Sequence, residues 1–200
     1  MNTIFYLVRH RESEKNILGI HHSRWVDKYS LTENGKQQTQ DLIGSFRWKT
    51  IDIIYSSPYL RCIETIKPLA ASRNIEIQLD LRITEIDVGN LDGNPVCNTW
   101  PTNRKLTNTP IWEVGESLLV CRERIWDFLD EIKQSHIGKS ILLCSHGEPL
   151  LFAKQYFLGF DYDNGLLRDS QYPAKDWFDE CIIDERWKLI SHRSEGSAKI

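Results

Sequence analysis

The five residues Ile4, Phe5, Tyr6, Leu7 and Val8 are apolar without interruption and give way at once to Arg9 and His10. A strand with one wet face would alternate, so an unbroken run predicts a strand covered on both faces, as in a parallel sheet. That strand constrains the rest of the chain. Its two faces need helices, and parallel neighbours need crossovers long enough to carry them.

The sequence beyond it alternates accordingly. Residues 32–46 read as a helix capped by Thr32, and 51–55 as a second strand. Ser57-Pro58 predicts a cap followed by proline at the first helical position, opening a helix to about residue 74 that Pro68 would kink or shorten. Residues 75–79 alternate as a half-exposed strand. Apolar residues recur at helical spacing from Leu118 to Ile132, predicting a helix over 116–134, then a strand over 140–144 and a helix over 147–158. Two strands around Asp184-Glu185, within 181–192, predict an edge hairpin. The expected architecture is α/β: a three-layer sandwich with a mostly parallel central sheet, helices on both faces and an antiparallel edge hairpin near the C-terminus. The 200 residues fit a single domain. Periodicity fails between Leu81 and Val114, which predicts a loop or small subdomain at about 84–114, a length that is usually functional.

Composition narrows the partners. With 25 Lys and Arg against 28 Asp and Glu, the net charge of −3 leaves no basic surplus for a nucleic acid. The apolar run at residues 4–8 is too short for a signal-peptide core or a membrane span. Five scattered cysteines, with no C-x-x-C and no zinc-finger spacing, suit reduced thiols and a cytoplasmic protein. Oligomeric state is not legible.

Three of the expected strands end in chemically capable residues: Arg9-His10, Ser56-Ser57 and Ser145-His146-Gly147. In an open parallel sheet ligands bind beyond the carboxyl ends of the strands, where helix N-termini favour anions. Arg9, His10, Arg61 and His146 would meet there and form a positive pocket suited to a phosphate ester. One such histidine alone is more often structural; four residues at equivalent strand ends reverse that reading.

Leu7-Val8-Arg9-His10 with Glu12-Ser13 and Asn16 resembles the signature of the histidine phosphatase superfamily, the phosphoglycerate mutase-like group. Further blocks agree in order: Asp27-x-x-x-Leu31-Thr32-x-x-Gly35, Ser56-Ser57-Pro58-x-x-Arg61-x-x-x-Thr65, Glu85-x-Asp87-x-Gly89-x-x-x-Gly93, Gly115-Glu116-Ser117 and Ser145-His146-Gly147. The resemblance implies a phosphomonoester hydrolase acting on a small phosphorylated metabolite. His10 would be the nucleophile that forms a phosphohistidine, and Glu85 the proton donor to the leaving group, ahead of its neighbour Asp87. Arg9, Asn16, Arg61 and His146 would hold the phosphoryl oxygens. No metal and no cofactor are required where these groups supply the charge. Mutases of the family carry a larger insertion between acid and second histidine. Here that interval must also hold the helix from Glu116 and the strand from Ser140, which favours a phosphatase over a phosphoglycerate mutase-type transferase.

One residue departs from the pattern. Arg11 stands where most members have glycine, so it would perturb the loop, point outward, or add a phosphate contact. It keeps open a third reading, a weakened member that binds a phosphorylated ligand or a protein. Gly138-Lys139-Ser140 is not a P-loop, because Lys133 stands where its first glycine belongs. His21-His22 lacks a third metal ligand and reads as a solvated pair. Arg104 and Lys105 read as a solvated charge pair or as contacts to a second anion. Trp100, Trp112, Trp177 and Trp187 suit a substrate pocket and core filling equally.

Overall fold

Strand β1 (Thr3–Arg9) lies inside a six-stranded sheet of order β3-β2-β4-β1-β5-β6, formed with β2 (Ile53–Ser56), β3 (Ile77–Leu79), β4 (Ser140–Ser145), β5 (Phe178–Ile183) and β6 (Leu189–Glu195). The computed structural model describes residues 1–23, 29–96, 106–110, 113–161 and 178–195. Strands β1, β4, β2 and β3 run parallel, whereas β5 and β6 close the edge antiparallel, as expected. Among the described residues the helices are α1 (Glu14–Leu18), α2 (Glu33–Ser45), α3 (Leu60–Arg73), α4 (Leu118–Ser135) and α5 (Gly147–Leu158).

The pleat of β1 explains the three layers. Phe5 and Leu7 point to one face, where they join Ile141 and Leu143 of β4 and the buried sides of α4 and α5. Tyr6 and Val8 point to the other, against Leu142, Cys144 and the inner residues of α2 and α3. The stripe on α4, from Leu118 through Ile125 and Phe128 to Ile132, follows the spacing read from the sequence. Each fully buried Leu, Ile or Phe contributes about 1.5–3 kcal/mol, so the central strands are held by both faces at once.

The described part of 81–114 folds back onto this core. It forms two 3-10 turns, Leu81–Ile83 and Gly89–Leu91, and buries Ile83, Ile86 and Val88 beside α4. The hairpin turn is built by Asp184, whose Oδ1 accepts from the backbone N–H groups of Arg186 at 2.8 Å and Lys188 at 2.9 Å. Trp187 packs on the core there, while Trp100, Trp112 and Trp177 lie outside the described residues.

One boundary differs from expectation. Helix α3 begins at Leu60 with Tyr59 as the flanking residue, so Ser57-Pro58 does not open it. The Ser57 hydroxyl has a long-range partner, His146, described below. Pro68 does not end the helix, which continues to Arg73 and closes on Asn74 in the left-handed region.

A close approach locks the segment after β1. The Glu12 carbonyl accepts the Thr32 N–H at 3.0 Å, and the Thr32 hydroxyl donates to Glu12 Oε1 at 2.7 Å while accepting from Gly35 N at 2.9 Å. Helix α2 therefore presses Gly35 onto Glu12, and a Cβ there would stand 1.9 Å from the Glu12 carbonyl oxygen. Alanine ordinarily gains about 1 kcal/mol over glycine inside a helix. Here the backbone clash outweighs that gain, and Gly35→Ala is expected to destabilise the fold by about 1–3 kcal/mol in urea denaturation. A neutral or stabilised variant would show that the contact is not rigid.

Candidate active site

Because β1, β2 and β4 are parallel, their carboxyl ends lie on one edge of the sheet, and the residues after them are stitched together. The His10 N–H donates to the Ser145 carbonyl at 3.0 Å, and the Ser57 N–H to the Cys144 carbonyl at 2.9 Å. His10 is almost fully buried. Its Nδ1 lies 2.9 Å from the Arg11 carbonyl oxygen. A carbonyl only accepts, so Nδ1 carries the proton and Nε2 keeps its lone pair. Burial first, then the positive charges of Arg61, Arg9 and Lys15, hold the His10 pKa well below 6.5, and the ring is neutral at pH 7.

Arg61, in the first turn of α3, has no exposed surface at all. It donates through Nη1 to His22 Nδ1 at 3.0 Å and through Nη2 to His146 Nδ1 at 3.0 Å, and it stacks over Tyr59 at 4.6 Å. A guanidinium cannot accept, so His146 Nδ1 bears a lone pair and its Nε2 donates to Ser57 Oγ at 2.8 Å. Burial and the same cations keep His146 neutral as well. The two histidine rings lie 5.2 Å apart. Arg61 Nε is buried with no hydrogen-bond partner among the described residues, a donor that an oxyanion would satisfy.

Beyond this floor opens a cavity of about 360 Å³, lined among the described residues by Arg9, Lys15, Asn16, His21, Glu85 and Glu148 in particular. Asn16 Oδ1 accepts from the Ser13 N–H at 3.0 Å and from its hydroxyl at 2.8 Å, which leaves its amide donors for a ligand. His10 itself lines a water-sized recess with Arg9, Arg11, Glu12 and Asn16. Of the six residues singled out from the sequence, Arg9, Asn16 and Glu85 face the wide cavity. His10 lines the recess, and Arg61 and His146 lie buried beside it.

Glu85 also lines an adjoining cavity of about 390 Å³. Its rival Asp87 is committed to the loop: its Oδ1 accepts from Gly89 N at 2.8 Å and Ser23 Oγ at 3.2 Å. Gly89, at φ +58°, and Gly115 let this loop interlock with the start of α4, since a Cβ on Gly115 would stand 2.7 Å from the Asp87 carbonyl oxygen. Arg124 then fixes the acid from behind, donating to the Glu85 carbonyl at 3.2 Å while paired with Glu116 at 2.7 Å.

Arg11 neither strains the loop nor points outward. Its φ is not among the positive ones, its backbone N–H donates to Thr65 Oγ1 at 2.9 Å, and its side chain is buried. The sequence reading of His21 and His22 needs correction in the same way. Both are buried, His22 as an acceptor for Arg61 and His21 as a wall of the cavity. Lys15, Ser57, His22 and Arg124 were not singled out as site residues. Only Ser57 carried a signal, its place in the block before Arg61. Asp27, Arg104 and Lys105 lie outside the described residues.

The comparisons agree with this geometry. Residues 5–173 match the family described as the histidine phosphatase superfamily (branch 1). The chain is 33% identical over 162 residues to "Phosphoserine phosphatase 1" of Hydrogenobacter thermophilus, covering 78% of this chain and 76% of that protein. It is 31% identical over 159 residues to "2,3-bisphosphoglycerate-dependent phosphoglycerate mutase" of Thermoplasma acidophilum, again covering 78% and 76%. Among solved structures, the alpha-ribazole phosphatase of Shigella flexneri superposes with a TM-score of 0.80 at 17% identity, over 97% of this chain and 96% of that one. A neutral histidine flanked by buried guanidinium at the carboxyl edge of such a sheet, together with these matches, places the protein in a class of phosphoryl-transfer enzymes. The chain belongs to the histidine phosphatase superfamily.

The depressed histidines link stability to pH. In the unfolded chain both take up protons below about 6.5, whereas in the folded chain they resist. Stability is therefore full above that value and falls as pH drops from 7 to 5, by up to about 1.4 kcal/mol per histidine per pH unit. Urea midpoints measured across this range should fall less steeply in His146→Gln than in the unaltered protein. Equal slopes would mean that His146 is not held neutral by the fold.

Proposed function

We propose that the protein hydrolyses phosphomonoesters through a phosphohistidine on His10. The observation that carries this reading is the hydrogen bond from His10 Nδ1 to the Arg11 carbonyl, which leaves the Nε2 lone pair as the attacking group. Nε2 attacks phosphorus, and the P–O bond to the alcohol breaks as Glu85 delivers a proton to the departing oxygen. Water then attacks the phosphohistidine, Glu85 takes its proton, and inorganic phosphate leaves with His10 restored. Arg9, Asn16, Arg61 and His146 are assigned to the phosphoryl oxygens, whose charge grows in the transition state. The fixed guanidinium charges of Arg9 and Arg61 supply the electrostatic stabilisation in this scheme, with no step assigned to a metal.

The substrate is a small phosphorylated metabolite. A cavity of about 360 Å³ suits a small molecule. The relatives named for phosphoserine and phosphoglycerate support the same class. Among the described residues no helix is long and apolar enough to cross a membrane, and Cys62, Cys121, Cys144 and Cys181 are free and buried, which suits a reducing cytoplasm.

The test is release of phosphate from an aryl phosphate without added metal. His10→Ala should abolish it, and Glu85→Gln should lower kcat by about 10²- to 10⁴-fold. An acid-labile, base-stable phosphoenzyme should accumulate on brief mixing. Activity surviving in His10→Ala would remove the covalent mechanism. Phosphoryl exchange without phosphate release would favour the mutase reading, and activity appearing only in Arg11→Gly would identify a weakened member.

A further inference from the structure

We infer that Ser57 is a positioning residue that lets His146 exchange one neutral tautomer for the other when a phosphoryl oxygen enters, so that the ring turns from acceptor to donor. The inference rests on the phosphatase reading, which assigns His146 to a phosphoryl oxygen, and supplies what that role requires.

The requirement follows from the contacts around the ring. His146 is wholly buried at the N-cap of α5, with the Tyr59 ring 5.0 Å away and the His10 ring 5.2 Å away. A neutral imidazole has one N–H and one lone pair. Here Arg61 Nη2 fills the lone pair on Nδ1, and the N–H on Nε2 goes to Ser57 Oγ. Cys62 Sγ, 3.5 Å from Nε2, is a weak partner whose own proton is directed at the Ser145 carbonyl at 3.6 Å. In this state the ring has no proton to give an incoming anion, and the lone pair on Nδ1 would repel one.

Ser57 removes the obstacle because a hydroxyl both donates and accepts. It is wholly buried, its backbone N–H is held by the Cys144 carbonyl at 2.9 Å, and its Oγ also accepts from the Tyr59 N–H at 3.4 Å. While Nε2 carries a proton, the Ser57 proton finds no acceptor among the described residues. The opposite tautomer gives it one, Nε2 itself, but turns Nδ1–H against an N–H of Arg61. Without an anion, each tautomer therefore leaves one polar group unmatched. An oxyanion between Arg61 and His146 resolves both, taking one N–H from each. Arg61 Nε, buried with no partner among the described residues, marks the same guanidinium as short of acceptors. The exchange moves one proton from Nε2 to Nδ1 by way of water and leaves the ring neutral, as burial and the nearby cations demand. An alanine at position 57 would strand the Nε2 lone pair without a donor.

The experiment reads which nitrogen of His146 is protonated, by long-range proton–nitrogen NMR of the isotope-labelled protein with inorganic phosphate as the probe. The His146 resonances are assigned by their loss in His146→Gln. The proton should stand on Nε2 without phosphate and on Nδ1 at saturation. Calorimetry gives a second readout: Ser57→Ala should weaken the Kd for phosphate by about 10-fold, which corresponds to about 1.4 kcal/mol, whereas Ser57→Thr, which keeps the hydroxyl, should stay within about 3-fold. The same tautomer with and without phosphate, an unchanged Kd in Ser57→Ala, or a folded Ser57→Thr that binds as weakly as the alanine variant overturns the inference. So does a failure of phosphate to bind the unaltered protein. Release of phosphate from an aryl ester is scored separately: a tautomer exchange in a protein that hydrolyses nothing would sink the phosphatase reading and leave the role of Ser57 standing.

Discussion

The guanidinium of Arg61 is wholly removed from water, and the surrounding structure is organised by what that burial requires. A charge in such a place must be met by acceptors, and the ones it meets are two imidazole nitrogens and the His22 carbonyl. Those contacts dictate the tautomer of His146, which in turn needs the Ser57 oxygen. Burial first, and the same charge after it, keeps His10 and His146 from taking protons. Such an arrangement suits the phosphoryl dianion proposed for it: Arg61 is dry, both imidazoles are neutral, and Arg61 Nε has no partner among the described residues.

Much of the fold was legible because the central strands β1 and β4 are short and covered on both faces. Runs such as residues 4–8 leave little choice of structure, and the polar residues that interrupt them mark the edge where a ligand binds. His10 and His146 were visible for that reason. What escaped notice depends on contacts between distant segments. Ser57 reads locally as a helix cap before proline, yet its hydroxyl is taken by a histidine 89 positions away, and the helix starts later. His21 and His22 read as solvated because nothing beside them in the chain announces that Arg61 will be folded over His22 or that His21 will wall a cavity.

Lys15 illustrates another limit. Its neighbours Glu14 and Asn16 make it look like one polar residue of a surface turn. Only the folded arrangement buries it and brings up Arg61 and Arg9 against Glu85 and Asp92, which pushes its pKa down to about 8. Arg11 shows the converse. The sequence made it conspicuous, but the backbone there needs none of glycine's freedom, because Thr65 accepts its N–H at an ordinary φ.

That Thr65 contact has a mechanical consequence. Thr65 lies one turn beyond Arg61 on α3 and donates to the Arg61 carbonyl at 2.6 Å, while gripping the backbone directly after His10. One helix thus carries both the proposed phosphate clamp and the tether of the proposed nucleophile, and thermal displacement of α3 moves them together. Thr65 and Arg61 are separated along α3 by a single helical turn, about 5.4 Å of pitch. Reach and registration are thereby coupled: a residue inserted between positions 61 and 65 would swing the tether about 100° around the axis, uncoupling attack from capture without touching either group.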